Sequence, residues 1–155
     1  MVIFTAKLSK PKLIGILVAA AAVILFIIFL ANRGTGTELE PAAGTKLSTP
    51  ESRVEVLSQL GYTVSSEAVR TQEVQIPKEF TEVYEQYNAL QLSQGFDLSK
   101  YKGKRIMQYV YRIENWPEEN SEPVYATLLT YKNKLIGGEL SRGGADGFLR
   151  PLLGT

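Results

Sequence analysis

Residues 124–140 read VYATLLTYKNKLIGGEL, and the fold turns on how that stretch is laid out. Side chains alternate between the two faces of a strand. Val124, Ala126 and Leu128 therefore share one face, and Tyr125, Leu129 and Tyr131 share the other. The short turn Lys132-Asn133-Lys134 makes a hairpin into Leu135–Leu140. A strand that is apolar on both faces is either covered twice or keeps one stripe for a partner.

Working upstream, the loop Asn115–Pro123 carries two prolines and three glutamates. Before it, Arg105–Ile113 alternates, with Met107, Tyr109, Tyr111 and Ile113 on one face and Gln108 and Arg112 on the other. A helix is expected over Glu79–Ser93, where Phe80, Val83, Tyr84, Tyr87 and Leu90 recur at helical spacing. Gly95 closes it, and FDLSKYKGK (residues 96–104) is a compact turn with Gly103 free to take a positive φ. Glu73–Ile76 and Tyr62–Val64 read as short extended pieces. An earlier helix opens at Thr49-Pro50, with Ser48 and Glu51 at capping-box spacing, continues through Val54, Leu57 and Leu60, and stops at Gly61. This order predicts an α+β domain over residues 49–142, with two helices packed on one face of an antiparallel sheet of about four strands. If so, Tyr125, Leu129 and Tyr131 form an exposed stripe on the opposite face, a partner surface. A helix or the tail folded over the stripe would make it core instead. The glycine-rich residues 143–155 are expected to be a loose tail, with Phe148 able to tuck back.

Residues 33–48 contain glycines, threonines and a proline and predict a flexible linker. Upstream of it, Leu13–Ala31 is uncharged, and its Leu, Ile, Val and Phe residues favour bilayer insertion by several kcal/mol. At about 1.5 Å per residue the segment spans the roughly 30 Å hydrocarbon core. Residues 13–32 are thus expected to be a transmembrane helix. Bulky Phe29 argues against signal-peptide cleavage, and without cysteine there is no lipid-anchor site. Lys7, Lys10 and Lys12 precede the span, which keeps residues 1–12 in the cytoplasm as a basic tail and exports the C-terminal domain. Gly15, Ala19 and Ala22 or Val23 have small-xxx-small spacing that suits a weak homodimer within the membrane.

Composition narrows the function classes. In the 155 residues there is no histidine and no cysteine, which removes the commonest general base, the thiol nucleophile and most metal-ligand chemistry. No cofactor is expected. A formal charge of +1, with 17 basic and 16 acidic residues, gives no basic excess for nucleic acid. Carboxylates are the remaining acid/base material. Glu118, Glu119 and Glu122 cluster in one loop, and Glu79, Glu82 and Glu85 line a helix face; both sets read as solvated surface. Ser99 beside Lys100 or Lys102 could in principle form a Ser–Lys pair, yet turn chemistry accounts for these residues. The run Lys100, Lys102, Lys104 and Arg105 is a candidate polyanion contact.

VQIPKEFTEVYEQYNALQLSQGFDLSKYKGK (residues 74–104), VYATLLTYKNKLIGGEL (residues 124–140) and DGF (residues 146–148) resemble domain-of-unknown-function family 4830, small proteins of Gram-positive, largely clostridial bacteria. The resemblance covers roughly Val54 to Phe148 and implies a single-span anchor followed by one exported domain. It carries no activity and no site residue. The expected function is a non-catalytic, single-pass module of the cell membrane whose exported domain binds an envelope protein or wall polymer. The alternatives are a carboxylate-based extracytoplasmic hydrolase and, third, a transmembrane sensor or regulator.

Overall fold

The structure is a computed structural model that describes residues 42–117 and 122–153. The expected basic tail, the transmembrane helix at 13–32 and residues 33–41 of the linker lie outside the described residues. Among the described residues, no helix is long and apolar enough to cross a membrane.

Helix α1 spans Pro50–Gln59 and α2 spans Glu82–Leu92. The strands are β1 (Arg70–Gln75), β2 (Arg105–Arg112), β3 (Val124–Tyr131), β4 (Lys134–Arg142) and β5 (Phe148–Pro151). They form one antiparallel sheet in sequence order. The sheet thus has five strands, one more than the roughly four expected, because residues 148–151 pair with β4. Tyr62–Val64 contributes only an isolated bridge, Val64 to Ile113. The β3–β4 turn places Lys132 and Asn133 at φ 50° and 61°, the left-handed geometry of a two-residue hairpin. A bulge beside Leu129 and Thr130 adds Ile136 to β4.

The helices do not share a face. Val56 and Leu57 of α1 join Tyr111, Ile113, Val124, Ala126, Leu128 and Leu140 in one cluster. Phe80, Tyr84 and Tyr87, at the start of α2 and within it, pack on the opposite side against Ile76, Leu98, Ile106, Leu129 and Ile136. The reason lies in β3: it is apolar on both sides, and water penalises leaving either side bare. One helix therefore goes to each face.

The caps follow the sequence with small shifts. Thr49 caps α1 with Pro50 inside the first turn, and the reciprocal partner of Thr49 is Ser52. Arg53 is buried beneath α1, stacked 3.9 Å over the Tyr109 ring and donating to Tyr111 Oη and Leu47 O. Thr81 caps α2, which presents a different face from the expected one. Val83 is 76% exposed, whereas Asn88 and Gln91 are buried. Polar amides, not only apolar side chains, hold α2 down. Asn88 Oδ1 accepts from Leu98 N at 2.8 Å, and Gln91 Oε1 accepts from Gly138 N at 2.9 Å.

Two segments expected to be loose are built into the fold. Leu47 is fully buried, and Gly44, Thr45 and Leu47 exchange backbone hydrogen bonds with Asn133 and Leu135. Residues 42–48 therefore belong to the domain rather than to a linker. In the tail, Leu152 and Leu153 are buried in the α1-side cluster. Gln94 Oε1 accepts from both of their N–H groups at 2.7 and 2.9 Å, while Gln94 Nε2 donates to Gly138 O at 2.9 Å. β5 pairs with β4 only from Glu139 to Arg142, so Gln91 and Gln94 serve the Gly138 backbone where the short strand does not reach. The tail is thus fixed, and Phe148 does fold back, ring to ring with Trp116 at 5.7 Å.

Candidate functional site

On the α2 side of the sheet, the helix and the 3-10 turn Leu98–Tyr101 cover only one half. The other half holds a concavity of about 440 Å³ lined by Val69, Arg70, Val110, Tyr125, Thr127 and Ser141. The register explains the grouping: Arg70 lies opposite Val110, Arg112 opposite Tyr125, Val110 opposite Thr127 and Tyr125 opposite Ser141. Strand alternation sends all of these side chains to the same face. Val110 and Thr127 are buried and form the floor, while Arg70 and Val69 stand exposed at the rim with Tyr125 half-buried. A volume of this size falls in the range of small ligand pockets.

Glu139 sits beside that floor on the same face of the sheet, opposite Thr127 on β4. It is 6% exposed, and Tyr87 Oη donates to its Oε2 at 2.7 Å. Burial pushes the Glu139 carboxyl above its ordinary range, and the Tyr87 hydrogen bond, with the Thr127 hydroxyl and the Gln91 amide nearby, offsets this only in part. Gln91 Nε2 faces this group but is buried without a partner at hydrogen-bond length. Burial together with the Glu139 charge also pushes the Tyr87 hydroxyl well up, so it acts as a donor. No sequence pattern singled out Glu139, because one glutamate after two glycines in a strand looks like a solvated residue. The readable signal was its place on the face of Leu129 and Tyr125.

The expected stripe is split. Leu129 is buried under α2, and Tyr131 is half-buried against Tyr101 with ring centres 5.4 Å apart. Tyr125 alone borders the open concavity. The candidate polyanion run does not converge. Lys100 lies 3.9 Å from Asp97, Lys102 sits 4.4 Å over the Phe80 ring, and Arg105 pairs with Glu73 at 3.3 Å. Lys104 is exposed. The Ser99 hydroxyl donates to Asp97 Oδ1 at 2.6 Å rather than to a lysine. Glu79, Glu82, Glu85 and Glu122 are exposed, and Glu118 and Glu119 lie outside the described residues. A shallow groove lined by Glu51, Val54, Glu55 and Ser66 does hold two carboxylates, both exposed. The backbone N–H groups at the start of α1 hold the Glu51 carboxyl low, the opposite of what a general acid needs. A further apolar groove runs between α2 and β5, lined by Val83, Tyr84, Gln86, Tyr87, Leu90 and Leu149.

Among the described residues, no group of three or more carboxylates is placed to hold a metal ion. A family model described as Domain of unknown function (DUF4830) matches residues 56–140. That span runs from within α1 into β4 and includes every residue lining the concavity except Ser141. No curated protein matches the chain, and no solved structure does.

Proposed function

The chain belongs to the family described as Domain of unknown function (DUF4830), and on that premise we propose that it is a single-pass membrane protein whose exported domain binds another envelope component through the open half of the sheet. The observation that carries this reading is the uncovered concavity, with its buried floor of Val110 and Thr127 and its rim of Val69 and Tyr125. Val69, at 57% exposure, and Tyr125 are apolar groups that a lone domain has reason to cover and a binding module has reason to show. The anchoring half of the reading rests on the uncharged run Leu13–Ala31 and on the three lysines before it. Chemistry with two carboxylates would need both in one cleft. Glu139 stands beside the concavity with no second buried carboxylate among the described residues, so binding is the simpler use of the site.

Two measurements test the two halves. Protease added to intact protoplasts removes a C-terminal epitope tag if the domain is exported; protection of the tag would sink the topology. A photoreactive residue at position 125 captures one recurrent envelope partner, and the capture disappears when Thr127 is replaced by a bulky residue that fills the concavity. Equal capture from the buried position 129 or from solvent-facing position 82 would sink the binding surface.

A further inference from the structure

Arg70 and Arg112 project from the same open half-face, and both are exposed. Among the described residues, neither side chain makes an ion pair, a hydrogen bond or a ring contact, in contrast to those of Arg53 and Arg105. The register sets their separation. Arg70 lies opposite Val110, and Arg112 is two residues farther along β2. They are therefore diagonal neighbours on one face, with Cα atoms about 7 to 8 Å apart. Val110 lies opposite Arg70 and Tyr125 opposite Arg112, so each arginine stands beside one apolar side chain of the concavity lining. The Thr127 and Ser141 side chains add hydroxyls at the far side of the concavity.

We infer that this half-face binds an extended acidic peptide segment of a partner protein, with two carboxylates spaced two residues apart. The inference deepens the binding reading above and rests on it. Charge complementarity selects an anion, because two unpaired guanidinium groups on one half-face repel each other and gain from a shared counter-charge. Spacing selects the peptide. In an extended chain, residues i and i+2 point to the same side and lie roughly 7 Å apart, which matches the diagonal of the two arginines. The methylene stems of two glutamates would rest on Val110 and Tyr125 while their carboxylates meet the two forks. A phosphate-rich polymer would meet the same charges without regard to that spacing.

The test uses the full chain in detergent and fluorescently labelled synthetic octapeptides read by anisotropy at low salt. One peptide carries glutamates two apart, a second carries them three apart, and a third has glutamine in both places. The first binds, and the second and third bind at least about fivefold more weakly. Arg70→Gln and Arg112→Gln each weaken the first peptide by about fivefold, the double variant removes its binding, and raising the salt does the same. Both arginines are exposed, so their thermal unfolding should match the parent chain and rule out misfolding. Equal binding of the two glutamate peptides would overturn the inference, as would a long-chain polyphosphate that displaces them without spacing dependence. The binding reading fails separately. Capture from position 125 that is untouched by Arg70→Gln with Arg112→Gln leaves that reading standing and removes the acidic peptide. Loss of all capture, with no peptide bound, removes both.

Discussion

The two faces of the sheet are closed to different degrees. On the α1 side, Leu47, Leu57, Tyr111, Ala126, Leu128, Leu135 and Leu152 are all fully buried, and the segments before α1 and after β5 complete the cover. On the α2 side, Leu98, Ile106, Leu129 and Ile136 are shut under the helix and its 3-10 turn, while Val110, Tyr125 and Thr127 border an open hollow. One strand, β3, serves both faces. On the proposed reading, the first face serves stability and the uncovered half of the second serves recognition. This contrast can be broken by substitutions that should behave differently on alternate residues of that strand.

The largest effect belongs to the closed face. Leu128 is fully buried between α1 and the tail, so Leu128→Ala should cost about 3 kcal/mol in lost transfer energy and residual cavity. Denaturant titration checks it, and a loss below about 1 kcal/mol would mean that the α1 face is not close-packed. Gly138→Ala comes next. A Cβ there would stand 2.7 Å from Leu152 Cδ2 and 2.8 Å from Thr127 O, so either the tail or β3 must move. The expected loss is about 2 kcal/mol, with faster hydrogen exchange at the Leu152 and Leu153 amides because Gln94 loses its grip on them. Unchanged exchange there would show that the tail is held by something other than this contact.

Glu139 stands between the closed and open halves of the α2 side, and its effect depends on pH. Its folded carboxyl titrates above the ordinary value of 4.5 because it is buried. Between the unfolded and folded values the native state binds the extra proton, so stability falls as pH rises through that window. The full penalty is present above the folded value and is absent below the unfolded one. Glu139→Gln should therefore raise Tm at pH 7, leave it almost unchanged at pH 4 and flatten the profile between them. A lower Tm for the variant at pH 7 would mean that Tyr87, Thr127 and Gln91 compensate the charge fully.

Much of this arrangement was legible in the sequence where local chemistry decides it. Thr49-Pro50 opened α1, the Lys132-Asn133 turn made the hairpin, and alternation in β2 and β3 sorted their side chains correctly. Three features were not legible because they depend on contacts between residues far apart in the chain. The buried face of α2 is partly polar, since Asn88 and Gln91 bond backbone groups of Leu98 and Gly138. The tail looked loose by its glycines, yet Gln94 and the α1-side cluster hold Leu152 and Leu153. The choice of face for each helix cannot come from β3, whose two sides are equally apolar. Of the expected stripe, Leu129 went to the core and Tyr125 to the open hollow, and Arg70 and Arg112 joined Tyr125 only through the register.

The smallest expected effect is the most informative for function. Tyr125 is three residues from Leu128 on the same strand, half-buried beside the hollow, and its side chain has no ring partner or hydrogen bond among the described residues. Removing its side chain exposes some of Val110 but opens no closed cavity, so Tyr125→Ala should cost under about 0.5 kcal/mol. The same substitution should weaken the glutamate peptide, because the ring supplies apolar surface at the rim opposite Arg112. A side chain of such size held at a rim for little stability is what the proposed binding role expects. If Tyr125→Ala instead cost as much as Leu128→Ala, the hollow would be ordinary core with a thin wall. The contrast between the two faces would then be one of depth alone.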